Sequence, residues 1–370
     1  MSDDVELPDV VGGFDVAVLG DWLAQRCGIT PPITVTPVAG GRSNLTAVVT
    51  DAAERRVVVR RPPLSGVLAS AHDVVREGRI MAALAPIAVP VPAVLAAADA
   101  DDGPGTAALV TAHVDGTVVR DRASAANLTA DDRARLTVPV ATTLATLHTV
   151  DVDAVGLGDL ARRDGYLARQ VARWTRQLEG GSDRALPVLD KLARVLAADV
   201  PEQREVALVH GDYRLDNLIV DTATGEVRAV LDWELATLGD PLADLGTLLA
   251  YWGVPARAGA AASVIHPGLP TAQEGFAGPA ELVTAYAAAR GMDADELAAR
   301  LRPFLAFAWF RIACILEGVR VRTASGAYGE VDGAGREELV LLDRLVPEIG
   351  ARALRVATGQ GPVGFDHELT

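Results

Sequence analysis

One short island of β-pattern interrupts the long helical second half of the chain, and it limits strongly what such a chain can become. Val206–Val209, Leu218–Val220 and Val227–Leu231 read as strands, with a glycine-containing turn over Asp221–Glu226 between the last two. The segment Val209-His210-Gly211-Asp212-Tyr213-Arg214-Leu215-Asp216-Asn217 leads into this hairpin, and Leu231-Asp232-Trp233-Glu234 leaves it. Antiparallel pairing puts Asn217, just before the first strand, and Asp232, just after the second, at the same end of the hairpin. An amide oxygen and a carboxylate oxygen thereby converge from distant sequence positions. Such a pair suits Mg²⁺, which keeps several waters and completes its shell with nucleotide phosphates.

Asp212 lies five residues before Asn217, in the loop facing the same space. An ordinary aspartate is ionised at neutral pH, so it can orient an acceptor hydroxyl and take its proton. Phosphoryl transfer needs little beyond one base, metal ligands and cations, because positioning and charge neutralisation carry most of it. Arg214 is the candidate cation and His210 a structural residue of the loop. A lone His-Gly-Asp would be an ordinary turn; Asn217 and Asp232 in a strand-loop-hairpin context make it a candidate site.

The first part of the chain reads differently. Ile33–Val38, Leu45–Thr50 and Arg56–Arg60 form a β meander, with the loop Gly40-Gly41-Arg42-Ser43-Asn44 between the first two runs. If Thr50 faces Arg56 across the turn, Arg60 falls opposite Thr46, beside that loop. A cation is then delivered to a backbone-rich anion site, for which Gly40, Gly41, Ser43 and Asn44 are the candidate nucleotide contacts. The loop lacks the G-x-G-x-x-G form, and Ser43 and Asn44 also read as plain turn formers. A helix is expected from about His72 to Leu84, where Val74, Glu77, Met81 and Leu84 share one face. A carboxylate on an apolar face needs a partner, and Arg60 is the candidate, aimed by Glu77 at nucleotide phosphates. A Pro-rich extended stretch and a strand over Ala107–Ala112 complete a small β-rich lobe, residues 1–112.

Residues 113–370 read as a larger, mostly helical lobe. Helices are expected after the start signal Thr129-Ala130-Asp131-Asp132, bent at Pro139, and over Tyr166–Leu178, Ala280–Arg290 and Phe304–Arg322. Arg311 and Arg322, about three helical turns apart, could share a face toward an anionic substrate group or toward solvent. His148 and Trp174 read as packing residues.

Composition bounds the rest. The chain has 370 residues, more than one compact core usually holds, so two lobes with a cleft are expected. Half the residues are hydrophobic, ample for a core. A formal charge of -15 disfavours a nucleic-acid partner, since such binding relies on Lys and Arg against phosphates. Cys27 and Cys314 are too few for a disulfide framework and fit a reducing, cytoplasmic setting. Met1–Asp4 lacks the basic and apolar regions of a secretion signal. Ile80–Ala98 carries no charge, but Pro86, Pro90 and Pro92 break it as a membrane helix, so no membrane partner is expected.

The order of Gly loop, strand cation, helix Glu, His-Gly-Asp-x4-Asn and strand-Asp resembles the aminoglycoside phosphotransferase-like branch of the protein-kinase fold, over roughly residues 30 to 330. The resemblance implies an α+β, bilobal kinase-like fold, ATP or GTP with Mg²⁺ as cofactors, and a small-molecule hydroxyl acceptor. It makes Asp212 the base, Asn217 and Asp232 metal ligands, Arg60 the stand-in for a strand lysine and Glu77 its helix partner. Gly239-Asp240-Pro241 and Asp244 take a bracing and capping role. Arginine is not equivalent to lysine, because a planar fork replaces a compact point charge. Val59-Arg60-Arg61-Pro62-Pro63, Leu147-His148-Thr149-Val150-Asp151, Arg169-Gln170 with Trp174, and Phe310-Arg311 with Glu317-Gly318 are similar to kinase-like domains related to those fused to acyl-CoA dehydrogenases. That subgroup implies hydroxyacyl substrates, possible as CoA thioesters. An aminoglycoside or other antibiotic acceptor is the alternative, and a regulatory nucleotide-binding pseudokinase is an alternative of another class. Oligomeric state is not readable.

Overall fold

The computed structural model describes residues 10–38, 44–63, 73–252, 269–327 and 333–360. The described residues form two compact units. The first runs to Asp115 and adds Arg228–Glu234; the second comprises Gly116–Val227 and the residues from Leu235 onward.

The first unit is built on a five-stranded antiparallel sheet in the order Thr34–Pro37, Leu45–Thr50, Arg56–Arg61, Ala108–Ala112, Val94–Ala98. Thr50 pairs with Arg56 and Thr46 with Arg60, the register expected from the tight turn between them. Alternation then sends Val57 and Val59 to one face and Arg60 to the other. On the valine face, Ala47, Val49, Val57, Val59 and Val110 pack with Leu19 and Leu23 of the helix Val16–Cys27. Each fully buried valine contributes roughly 1.5–3 kcal/mol by leaving water. This helix is an addition to the one main helix expected in the unit. Its limits are nonetheless written in the chain: Asp15 caps the first turn by accepting from Val18 N–H, and Gly28 ends it at φ +64°.

The second helix, Val74–Leu84, is capped by Asp73 and buries Val74, Glu77, Gly78, Ile80, Met81 and Leu84. A Cβ at Gly78 would stand 2.9 Å from Leu109 Cδ1 and 3.3 Å from Ala97 Cβ, so glycine lets the turn carrying Glu77 approach the sheet. The Pro-rich stretch gains a strand, Val94–Ala98, and Pro90 O accepts from Val230 N–H at 2.8 Å. That bond ties the Arg228–Glu234 segment into this unit.

The second unit is mostly helical and holds a small two-stranded sheet, Ala207–Val209 antiparallel to Thr237–Gly239, and the strand Leu218–Val220 that follows Asn217. The helix Ala130–Leu147 begins with a capping box of Thr129 and Asp132, and Tyr166–Gly181 follows. Leu242–Ala250 is buried on all sides, and apart from Asp244 and Thr247 it carries only apolar residues and glycine. It packs on a long helix, Ala294–Ala324, which also contacts the helix Gly333–Ala357. The long helix starts ten residues before the expected Phe304. Pro303 is favoured as a first helical residue, but Asp293 caps the true start and Leu297 and Leu301 continue the buried stripe through Pro303. Among the described residues no helix is long and apolar enough to cross a membrane.

Candidate active site

In the second unit, strand Ala207–Val209 delivers His210 and Gly211 to a sharp turn. Gly211 has φ +83°, and a Cβ there would lie 2.7 Å from the backbone oxygen of Leu235, so no other residue fits without movement. The turn is held by Asp244, on the first turn of Leu242–Ala250. Its Oδ2 accepts from His210 N–H at 2.6 Å and its Oδ1 from Gly211 N–H at 2.8 Å. His148 Nε2 lies 3.3 Å from the same carboxylate, and His148 Nδ1 lies 2.8 Å from the Tyr286 hydroxyl. Arg290 donates to that hydroxyl at 3.2 Å and pairs with Glu205 at 2.9 Å.

The acceptor at one end fixes the direction of this chain. The Asp244 carboxylate can only accept, so His148 Nε2 carries the proton, and Nδ1 of the neutral ring accepts from the Tyr286 hydroxyl, which in turn accepts from Arg290. Burial pushes His148 below its ordinary value, in keeping with the neutral ring. Burial alone would raise Asp244, but the hydrogen bonds from His148 and from His210 N–H outweigh it and hold Asp244 below the usual carboxylate range. Asp240 accepts from Leu242 N–H at 3.0 Å and starts this helix; burial pushes its carboxyl up to about 6. His148 is therefore more than a packing residue, and Tyr286, Arg290 and Glu205 join the loop's support from positions that no local spacing connects to the loop.

Asp212 follows, with its side chain 17% exposed. Its N–H donates to His210 Nδ1 at 3.2 Å, which gives His210 the structural part expected of it. Arg214 Nε donates to Asp212 Oδ2 at 3.1 Å, and Arg214 also lies over the Tyr251 ring at 5.0 Å. Asn217 Nδ2 donates to the Asp212 carbonyl at 2.9 Å and to Oδ2 at 3.2 Å. Burial would raise Asp212, but Arg214 and Arg311 outweigh it and keep the group an anion. Arg311 reaches Asp212 Oδ1 at 3.3 Å and also donates to the Gly211 carbonyl. Arg311, expected toward an anionic substrate group or solvent, instead places its guanidinium on the candidate base. Both bonds of Asn217 use its NH₂, an orientation that keeps Oδ1 as the ligand atom for a hard cation.

In the first unit, Arg60 and Glu77 meet. Arg60 Nη1 lies 3.2 Å from Glu77 Oε2, Arg60 Nη2 donates to Asp232 Oδ1 at 3.0 Å, and Asn44 Nδ2 donates to Glu77 Oε1 at 2.9 Å. Burial pushes Glu77 up to about 7 against the pull of Arg60. Burial also works against the charge on Arg60, but Glu77 and Asp232 outweigh it and Arg60 stays protonated. Asn44, expected beside the phosphates, is 3% exposed and holds Glu77. Asp232 has φ +66°, a left-handed conformation that aspartate tolerates better than most side chains and that recurs at functional sites. Gly40, Gly41 and Ser43 lie outside the described residues. Among the described residues no group of three or more His, Cys, Asp or Glu could hold a metal. An ion at Asn217 or Asp232 would have to draw further ligands from phosphate and water, as Mg²⁺ on a nucleotide does.

A family model described as the phosphotransferase enzyme family matches residues 34–304. Acyl-CoA dehydrogenase family member 10 of Mus musculus is 35% identical over 303 residues, covering 80% of this chain and 27% of its own length. Acyl-CoA dehydrogenase family member 11 of Rattus norvegicus is 33% identical over 299 residues, covering 80% of this chain and 37% of its own length. The chain thus spans about a third or less of these relatives. A solved structure from Ralstonia eutropha, of a protein described as a candidate aminoglycoside phosphotransferase, superposes with a TM-score of 0.73 at 30% identity, covering 94% of this chain and 100% of that one. The α+β, kinase-like fold is shared.

Proposed function

Because the chain belongs to the phosphotransferase enzyme family and is a small-molecule kinase, we propose that it moves the γ-phosphoryl group of ATP or GTP onto a hydroxyl of a hydroxyacyl metabolite, free or as its CoA thioester. The observation that carries this reading is Asp212, kept anionic by Arg214 and Arg311, with Asn217 beside it. The acceptor hydroxyl oxygen forms a bond to the γ-phosphorus, the bond from that phosphorus to the nucleoside diphosphate breaks, and the hydroxyl proton passes to Asp212. Asn217 and Asp232 are the residues that would hold Mg²⁺, which when bound neutralises charge across the phosphates. Arg60, oriented by Glu77, is the cation offered to the nucleotide where relatives of this fold class use lysine. The acyl-CoA dehydrogenase relatives support an acyl acceptor.

The test is incubation of purified protein with ATP, Mg²⁺ and a panel of hydroxy acids, their CoA thioesters and aminoglycosides. A phosphorylated hydroxyacyl product that vanishes in Asp212→Asn is expected. Phosphorylation of an aminoglycoside alone would redirect the acceptor assignment, and nucleotide binding without transfer to any acceptor or to water would favour a regulatory role.

A further inference from the structure

We propose that Arg311 is a positioning residue for Asp212, a clamp from outside the loop that fixes the Gly211 carbonyl and the Asp212 carboxylate with one guanidinium. The inference rests on the reading of Asp212 as the base that faces the acceptor.

Asp212 Oδ2 is held by Arg214 and Asn217, both members of the same short loop, so these bonds move with the loop. Oδ1 is held by Arg311 Nη2 at 3.3 Å, from a helix 99 residues away in sequence. Nη1 of the same guanidinium donates to the Gly211 carbonyl. A planar fork serves two acceptors one residue apart in fixed geometry, whereas an ammonium offers rotatable donors from a single point. The plane is itself held, with Arg311 lying over the Trp174 ring at 5.9 Å and its side chain only 11% exposed.

The loop is gripped from two sides with opposite charge. Asp244 takes the N–H groups of His210 and Gly211, while Arg311 takes the Gly211 carbonyl and the next side chain. The helix that brings Arg311 is anchored less than two turns further on. Glu317, 1% exposed, receives Arg184 at 2.7 Å, Arg320 at 3.0 Å and the Ser182 hydroxyl at 2.8 Å, and Arg184 continues to Asp343 at 2.7 Å. Arg311 therefore refers the position of Asp212 to a braced helix. One bond on Oδ1, against two on Oδ2, makes Oδ1 the oxygen that accepts the acceptor hydroxyl.

The test compares full-length wild type, Arg311→Ala, Arg311→Lys and Asp212→Asn, using Mg·ATP as nucleotide and water as acceptor, read as phosphate release. Amide exchange over residues 210–217 and 242–250 is followed in parallel. In Arg311→Ala, kcat is expected to fall roughly 10- to 100-fold, the loss of one charged, two-pronged contact. KM for ATP is expected to stay within about twofold. Added methylguanidinium should restore part of the rate, and Arg311→Lys should recover less than the rescued alanine variant. Exchange should speed up over 210–217 and not over 242–250. Wild-type-like kcat and exchange would overturn the proposal, as would loss of activity with both segments loosened and no rescue, which marks a merely structural role. If wild type releases phosphate to water no faster than Asp212→Asn, the acceptor panel decides the phosphotransfer reading instead. Exchange then decides alone: selective loosening of 210–217 upholds the clamp, and an unchanged loop removes it.

Discussion

Replacing Asp244 by asparagine changes one oxygen to NH₂ with almost no change in shape, which makes the cost readable from the bonds. Both carboxylate oxygens accept backbone donors, His210 N–H at 2.6 Å and Gly211 N–H at 2.8 Å. Asparagine offers a single oxygen, so one of those buried N–H groups must face an NH₂. A charge-assisted bond of about 1.5–3 kcal/mol is lost and a donor is left opposing a donor, for a total of about 2–4 kcal/mol. For a unit of this size that lowers Tm by about 4–16 °C. The pH dependence has a definite sign. The folded value of Asp244 is depressed, so its contribution is present above the unfolded value of about 3.9 and is lost as pH falls through the folded value. Urea unfolding at neutral pH and at a series of acid pH values should show the gap between wild type and Asp244→Asn closing as pH falls. A gap below about 1 kcal/mol at neutral pH, smaller than a single neutral hydrogen bond, would refute the role assigned to the two backbone bonds.

Glu77 is expected to act with the opposite sign. Its folded value is raised to about 7 by burial, so its contribution is full below the unfolded value of about 4.3 and is lost as pH rises through about 7. Thermal unfolding of wild type and Glu77→Gln across that window should diverge in favour of wild type on the acid side; parallel profiles would count against the buried-carboxyl account. Gly211→Ala should cost about 1–3 kcal/mol and depress phosphate release, because it combines φ +83° with a Cβ 2.7 Å from the Leu235 oxygen. Gly180→Ala is the control: nothing lies within 4 Å of a Cβ at this exposed position in the last turn of Tyr166–Gly181, so a gain of up to about 0.5–1 kcal/mol is expected.

Much of the scaffold was legible from local pattern. The Thr46–Arg60 register followed from one tight turn, and the inward face of Glu77 from helical spacing. The helix Val16–Cys27 was written in its caps, Asp15 and Gly28, but its short apolar stripe is easily passed over beside a β meander. Gly333–Ala357 likewise carries Leu342, Leu345, Val346 and Ile349 at helical spacing, a signal that was there to be used. Contacts across long sequence separations were not legible. Arg311 reaching Asp212, and Tyr286 and Arg290 reaching His148, depend on how helices pack, and an arginine facing a carboxylate has the same local spacing as one facing solvent. Asn44 shows the limit from the other side: a polar residue after a glycine loop reads as a turn former, and only the packed structure reveals its buried bond to Glu77.

The most direct measurement is a crystal structure of wild type grown with Mn²⁺ and a non-hydrolysable ATP analogue, with the ion located by its anomalous signal. The result expected is a single ion at coordination distance from both Asn217 Oδ1 and the Asp232 carboxylate, bound to the terminal phosphates, with Asp212 Oδ1 facing the space in front of the γ-phosphate that the acceptor hydroxyl would fill. An ion held elsewhere, or a nucleotide whose γ-phosphate lies away from Asp212, would contradict it.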